Sequence, residues 1–62
     1  MKVGFIGLGN VGAKLAGSLL RNGFDLTVRD LDSSATEEFS RLGARVAASP
    51  KELAQHCDVI VT

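Results

Sequence analysis

Three glycines and one carboxylate carry most of the chemistry open to this chain. Gly7, Gly9 and Gly12 have the spacing G-x-G-x-x-G, and Asp30 follows Gly9 by 21 positions. Where a strand runs into such a turn and a helix leaves it, unpaired backbone N–H groups and the positive end of the helix dipole face a bound phosphate pair. Such a site needs no basic side chain. Gly7 allows the sharp turn out of the strand, because it takes dihedrals closed to a residue with a Cβ. Gly9 keeps the main chain bare where a pyrophosphate approaches, and Gly12 lets the helix lie close to the strand. The acidic residue of such a unit sits about 20 residues further on and accepts hydrogen bonds from the adenosine ribose. The stretch Gly7-Leu8-Gly9-Asn10-Val11-Gly12 and Asp30 are therefore candidate dinucleotide-binding residues.

The elements that must hold these residues are legible in the apolar pattern. Val3 to Ile6 reads as a short strand apolar on both faces, as in a parallel sheet covered on both sides. From Asn10 to Asn22, Val11, Leu15 and Leu19 recur at helical spacing beside small Gly12 and Ala16, which permit close contact with the sheet. Arg21 suits a last turn, and Gly23 a helix stop. Phe24 to Arg29 reads as the second strand, with Asp30 at its tip. Ser34 and Glu37 predict a capping box, after which Ala35, Phe39 and Leu42 line one helix face until Gly43. Arg45 to Ala48 predicts a weak edge strand. Ser49, Pro50 and Glu52 predict a second boxed helix start, with a helix of about two turns running out near His56. Val59 to Val61 predicts a fully buried strand.

Alternation of strand and helix implies an α/β fold with a parallel sheet and right-handed crossovers. The expected architecture is the first half of a doubly wound Rossmann sheet, βαβαβαβ, with the switch point between the first and fourth strands. Thr62 then falls near the glycine turn and joins the candidate cofactor-binding residues. At 62 residues there is room for little more than this half, so residues 1–62 are expected to be the N-terminal part of a dinucleotide-binding domain. The remainder of that domain is expected to lie outside it.

Composition narrows the function classes. Seven Lys plus Arg balance seven Asp plus Glu, which argues against nucleic acid or an anionic membrane as partner. A single cysteine, Cys57, leaves no internal disulfide and fits a reducing compartment. Asn10 and Lys14 interrupt the N-terminal apolar run, which speaks against a signal peptide, and no apolar stretch approaches the roughly 20 residues of a membrane span. A cytoplasmic or organellar-matrix location is the expectation.

Other motifs are weaker. Gly7 and Gly12 have P-loop spacing, but Ala13-Lys14-Leu15 stands where Lys-Ser/Thr must follow, so Lys14 reads as a solvated helix lysine. His56, Cys57 and Asp58 are consecutive, so their side chains diverge, and no second cluster completes a four-ligand metal site. Glu37 and Glu38 read as first-turn helix charges. Flavin and S-adenosylmethionine proteins also pair a glycine turn with an acid on the second strand. The latter tend to want glycine where Val11 stands, whereas the flavin reading stays open on these residues.

Phe5-Ile6-Gly7-Leu8-Gly9-Asn10-Val11-Gly12 and Ala16-Gly17-Ser18-Leu19 resemble the N-terminal signature of the 3-hydroxyisobutyrate dehydrogenase family of β-hydroxyacid dehydrogenases, relatives of 6-phosphogluconate dehydrogenase. Gly43-Ala44, Ala48-Ser49-Pro50 and Asp58-Val59-Ile60-Val61-Thr62 also fall where that family has similar words. Val11 and Leu15 depart from it, standing where methionine is frequent. The resemblance implies that the backbone N–H groups of Asn10 and Val11 face the pyrophosphate. Many members read Asn-Arg-Thr at the second strand's tip, the arginine meeting the 2′-phosphate of NADP. Here Asp30-Leu31-Asp32 stands instead, so NAD is expected over NADP, with Arg29 pointing to the opposite strand face from Asp30.

By the same resemblance the parent is an NAD-dependent oxidoreductase that moves a hydride between a short 3-hydroxy acid and the nicotinamide, and a homo-oligomer. Its carboxylate-gripping glycine segment and relay lysine lie outside these residues, so no catalytic residue is assigned. A non-catalytic cofactor-sensing or assembly module that keeps the dehydrogenase fold is the alternative.

Overall fold

Strands β1 (Lys2–Ile6) and β2 (Asp25–Arg29) present apolar or small side chains on both faces, so they need helices above and below. The computed structural model describes residues 1–62 and supplies those helices in strict alternation. They are α1 (Asn10–Arg21), α2 (Ser33–Arg41) and α3 (Pro50–His56), with β3 (Arg45–Val46) and β4 (Val59–Val61) completing the sheet. The strand order is β3-β2-β1-β4 and every pairing is parallel. This is the expected half of a doubly wound sheet, with the order reversing between β1 and β4.

Register assigns the two faces. Val3 pairs with Leu26 and Phe5 with Val28, and these four join Leu8, Ala16, Phe39 and Ala44 in one buried cluster. Gly4 pairs with Thr27 on the other face, where Leu53 of α3 is fully buried. An added Cβ on Gly4 would lie 2.5 Å from Leu53 Cδ2 and 2.8 Å from Cys57 Sγ. Gly4 is thus the point at which α3 touches the sheet, a requirement that a glycine inside an apolar run does not announce. The thiol of Cys57 is half-buried against it.

Several expectations are corrected. In α1 the residue that buries completely is Ala16, with Ala13, Leu19 and Leu20 packed beside it, while Val11 is 81% exposed and Leu15 48%. Ala16 makes the close contact expected of it, and Leu19 and Leu20 pack with it, whereas Val11 and Leu15 turn outward. α2 begins at Ser33 and is capped by Asp32, whose Oδ1 accepts from the Ser34 amide at 3.0 Å and the Ser34 hydroxyl at 2.6 Å. The Ser34–Glu37 box does not form. Its earlier start turns Thr36 and Phe39 inward and leaves Leu42 exposed.

β3 has two residues rather than four. β4 pairs only with β1, so Val59 and Ile60 stay partly exposed instead of fully buried. The α3 start is as expected. Ser49 Oγ accepts from the Glu52 amide at 3.1 Å, Pro50 opens the helix, and Glu52 Oε2 accepts from the Ala48 amide at 3.3 Å. No helix is long and apolar enough to cross a membrane.

Candidate functional site

The glycine turn is built onto the carboxyl end of the sheet. Gly7 donates its N–H to the Arg29 carbonyl at 2.9 Å, one step beyond the β1–β2 ladder, and then turns with φ 84°. Gly9, at φ 37°, precedes α1. A Cβ on either glycine would meet nothing within 4 Å, so the front of the turn is open. Behind it, a Cβ on Gly12 would sit 3.2 Å from the Gly7 carbonyl oxygen, so the helix rests directly on the turn.

α1 starts without a side-chain cap, whereas Asp32 caps α2 and Ser49 caps α3. Its first helix-closing bond runs from the Ala13 amide to the Gly9 carbonyl at 3.0 Å. The amides of Asn10, Val11 and Gly12 precede that bond and have no partner within the helix. Together with the dipole they make an anion-binding end.

Asp30 lies immediately past β2 and reaches across to the turn. Its Oδ2 accepts from the Leu8 amide at 2.6 Å, and its Oδ1 accepts from the Asp32 amide at 2.9 Å. The Leu8 bond is the main reason its carboxyl is held below the usual carboxylate range, with the Asp32 bond next and the Arg29 charge contributing least. Each carboxylate oxygen keeps a further lone pair, so two donors from a ribose can still be accepted. Leu8 plays a different part from the one expected. Its side chain is buried in the core and its amide is spent on Asp30, so it holds the turn rather than offering an N–H to a ligand.

Two clefts flank Gly7. The first, about 390 Å³, is lined by Ile6, Gly7, Arg29, Asp30, Leu31 and Pro50. The second, about 460 Å³, runs along Gly7 to Gly12 and is also lined by Phe5, Leu15, Val61 and Thr62. Thr62 thus shares a cleft with the glycine turn. Arg29 was expected on the opposite face from Asp30, yet both line the first cleft. β2 ends at Arg29, so strand alternation no longer governs Asp30, and the Arg29 guanidinium donates from Nη1 to the Asp30 carbonyl at 3.3 Å.

The remaining candidates are placed elsewhere. Lys14 is exposed on α1, in a groove with Arg21 and Glu38. His56 Nε2 lies 3.2 Å from Arg45 Nη1, and because arginine can only donate, that ring nitrogen accepts. No group of three or more His, Cys, Asp or Glu side chains is placed to hold a metal ion.

A parallel sheet with a glycine turn at its switch point and a carboxylate beside that turn defines the Rossmann class of dinucleotide-binding folds. The sequence profile of the NAD binding domain of 6-phosphogluconate dehydrogenase matches residues 2–62. The chain belongs to that family of NAD-binding domains. It is 43% identical over 60 residues to the mitochondrial 3-hydroxyisobutyrate dehydrogenase of Mus musculus, covering 97% of this chain and 18% of that protein. The Homo sapiens enzyme is 42% identical over the same shares.

Among solved structures, an imine reductase variant from Myxococcus stipitatus in complex with NAD+ superposes with a TM-score of 0.90 at 27% identity, covering 95% of this chain and 20% of that one. The imine reductase from the same organism in complex with NADP+ gives 0.91 at 27% identity, covering 97% and 21%. The chain spans about a fifth of the length of the relatives it matches.

Proposed function

We propose that these residues bind the adenosine and pyrophosphate of NAD for an oxidoreductase acting on a short 3-hydroxy acid. The observation that carries this reading is the junction of the uncapped α1 start, the open front of Gly7 and Gly9, and the Asp30 carboxylate pinned to the same turn. The residues fit the cofactor. The N–H groups of Asn10, Val11 and Gly12 would take the pyrophosphate, Asp30 the ribose hydroxyls, and Thr62 the far wall of the cleft. A carboxylate accepts from hydroxyls and repels a phosphate, so Asp30 favours NAD over NADP.

When bound, the nicotinamide takes up or returns the hydride. The work of this chain is to fix the adenosine half, so that binding strength gained here orients the reacting ring. The remaining strands, the substrate domain and the proton-transfer group belong to the longer protein that this reading requires. Its setting is a cytoplasmic or matrix compartment, in keeping with the mitochondrial enzymes the chain resembles.

Calorimetric titration of the full chain with NAD and with FAD tests the reading. Saturable NAD binding that weakens about a hundredfold or more in Asp30→Ala, on the scale of two lost charge-assisted hydrogen bonds, is the expected result. Equal binding of FAD, or an Asp30→Ala chain that holds NAD as well as the parent, would refute it.

A further inference from the structure

Thr27 pairs with Gly4 on one side and with Arg45 on the other, so Arg45 of β3 stands on the face of the sheet where Leu53 of α3 is buried. α3 starts over that face at Pro50, beside the first cleft, and ends at His56. There Arg45 Nη1 donates to His56 Nε2 at 3.2 Å, so the neutral ring carries its hydrogen on Nδ1. This side-chain contact ties the end of α3 to a strand with little else to hold it. β3 is two residues long, lies at the edge of the sheet and has β2 as its one strand neighbour. Just past it, the Ala47 amide donates to the Val28 carbonyl at 3.0 Å.

We infer that Arg45 and His56 form a proton-sensitive latch between the edge strand β3 and the end of α3, closed on the neutral imidazole and released when the ring takes up a proton. The reason lies in the donor count. Nε2 accepts through one lone pair, and a proton placed there leaves two cationic donors facing each other with no acceptor between them. Imidazole is the side chain whose ordinary charge change falls between about pH 5 and 8. The latch is thus closed at higher pH and opens as pH falls. α3 packs on β1 and β2, whose residues on the same face toward this end are Lys2 and Asp25. Lys51 and Glu52 lie on α3 itself, and Cys57 and Asp58 follow it. Carboxylates ordinarily titrate near about pH 4, and thiols and lysines above about 8, so the histidine is the group that changes charge in between.

Amide hydrogen exchange of the full chain, followed by NMR at about pH 7 and 5.5 and corrected for intrinsic exchange, tests the latch. Protection of the Ala47 amide should fall about threefold on acidification, the scale of one net hydrogen bond, while the β1 amides keep theirs. His56→Gln offers Arg45 an amide oxygen that does not titrate, and Ala47 protection should stay at the higher value at both pH values. Arg45→Met keeps the apolar stem without the donor and should give the lower value at both. Circular dichroism checks that each variant is folded. His56 is the one histidine in the sequence, so its imidazole nitrogen shifts in the parent chain supply a reading that needs no variant, and above its titration the hydrogen should sit on Nδ1. A neutral ring with its hydrogen on Nε2, parent protection that does not change with pH, or an equal fall in either variant would overturn the inference. None of these readings involves a nucleotide, so the latch stands or falls apart from the NAD site.

Discussion

The Asp30 carboxylate and the Leu8 amide meet at 2.6 Å, tying the tip of the second strand to the middle of the glycine turn across 22 residues of sequence. Asp30 therefore shapes the turn before any ligand arrives, and the same group is the proposed ribose acceptor. Asp32, two residues on, spends its carboxylate on Ser34 at the start of α2. The two acids should separate in mutagenesis. Asp32→Ala should lower the melting temperature through loss of a helix cap, with NAD affinity changed less than about threefold. Asp30→Ala should reduce both stability and affinity. Thermal melts paired with calorimetry would show whether only one of the two variants loses ligand.

Acid should reach this junction through the same two carboxyls. Both are held below their ordinary range, Asp30 chiefly by the Leu8 amide and Asp32 chiefly by the Ser34 side chain. A lowered folded-state value means that ionisation stabilises the fold. That contribution is complete above the unfolded carboxyl range of about pH 4 and drains away as pH falls through the lower folded values. Stability from these groups should therefore be flat between about pH 5 and 8 and fall below about 4. Carboxyl-carbon chemical shifts titrated by NMR would check it. Midpoints for Asp30 and Asp32 at or above those of an unfolded peptide would contradict the assignment.

How much of this was legible in the sequence follows from what each signal measures. The glycine spacing and the distance to Asp30 describe a turn and a strand tip, both local features, and the structure brings them together. Helical periodicity finds an apolar line but does not say which neighbour it meets. Val11 and Leu15 keep the helical spacing yet stay exposed, while Gly12 and Ala16, whose small size permits it, make the close contact. At the α2 start, Asp32, Ser33 and Ser34 are all competent caps, and the Ser34–Glu37 spacing competed with an Asp32 cap that wins by accepting from two groups at once. Arg29 escapes the alternation argument because β2 ends with it, so Asp30 beyond the strand is not bound to the opposite face. The β-branched composition of β4 suits a buried strand but does not say how many neighbours cover it, and only β1 is paired with it.

Gly4 supplies a stability test far from the ligand. A methyl group there falls 2.5 Å from Leu53 Cδ2 and 2.8 Å from Cys57 Sγ, and Leu53 is fully buried with little room to retreat. Gly4→Ala should destabilise the fold by about 1–3 kcal/mol, the range for overpacking a close-packed core. Cutting back the neighbour should return part of that loss, because two changes in direct contact are not additive. Denaturant melts of Gly4→Ala, Leu53→Ala and the pair would show it. If the losses in the pair simply summed, the contact between α3 and β1 would not be the cause.

Gly12 separates helix stability from ligand geometry. It lies within α1, where alanine is intrinsically better than glycine by about 0.8–1.0 kcal/mol. Against that gain, its Cβ would stand 3.2 Å from the Gly7 carbonyl oxygen, part of the Gly7–Leu8 peptide whose N–H is held by Asp30. The helix must then lift from the turn by a few tenths of an ångström. Gly12→Ala should leave the stability within about 1 kcal/mol of the parent, the two effects offsetting one another. The lift carries the first-turn amides away from their place beside Gly7 and Gly9, and charge-assisted bonds to phosphate weaken with distance. NAD affinity should therefore drop by about tenfold while the melting curve barely moves. Gly12→Val adds branching and bulk at the same point and should lose both. Parallel melts and NAD titrations decide the matter, and a Gly12→Ala chain that binds NAD like the parent would show that the contact between helix and turn does not set the cofactor site.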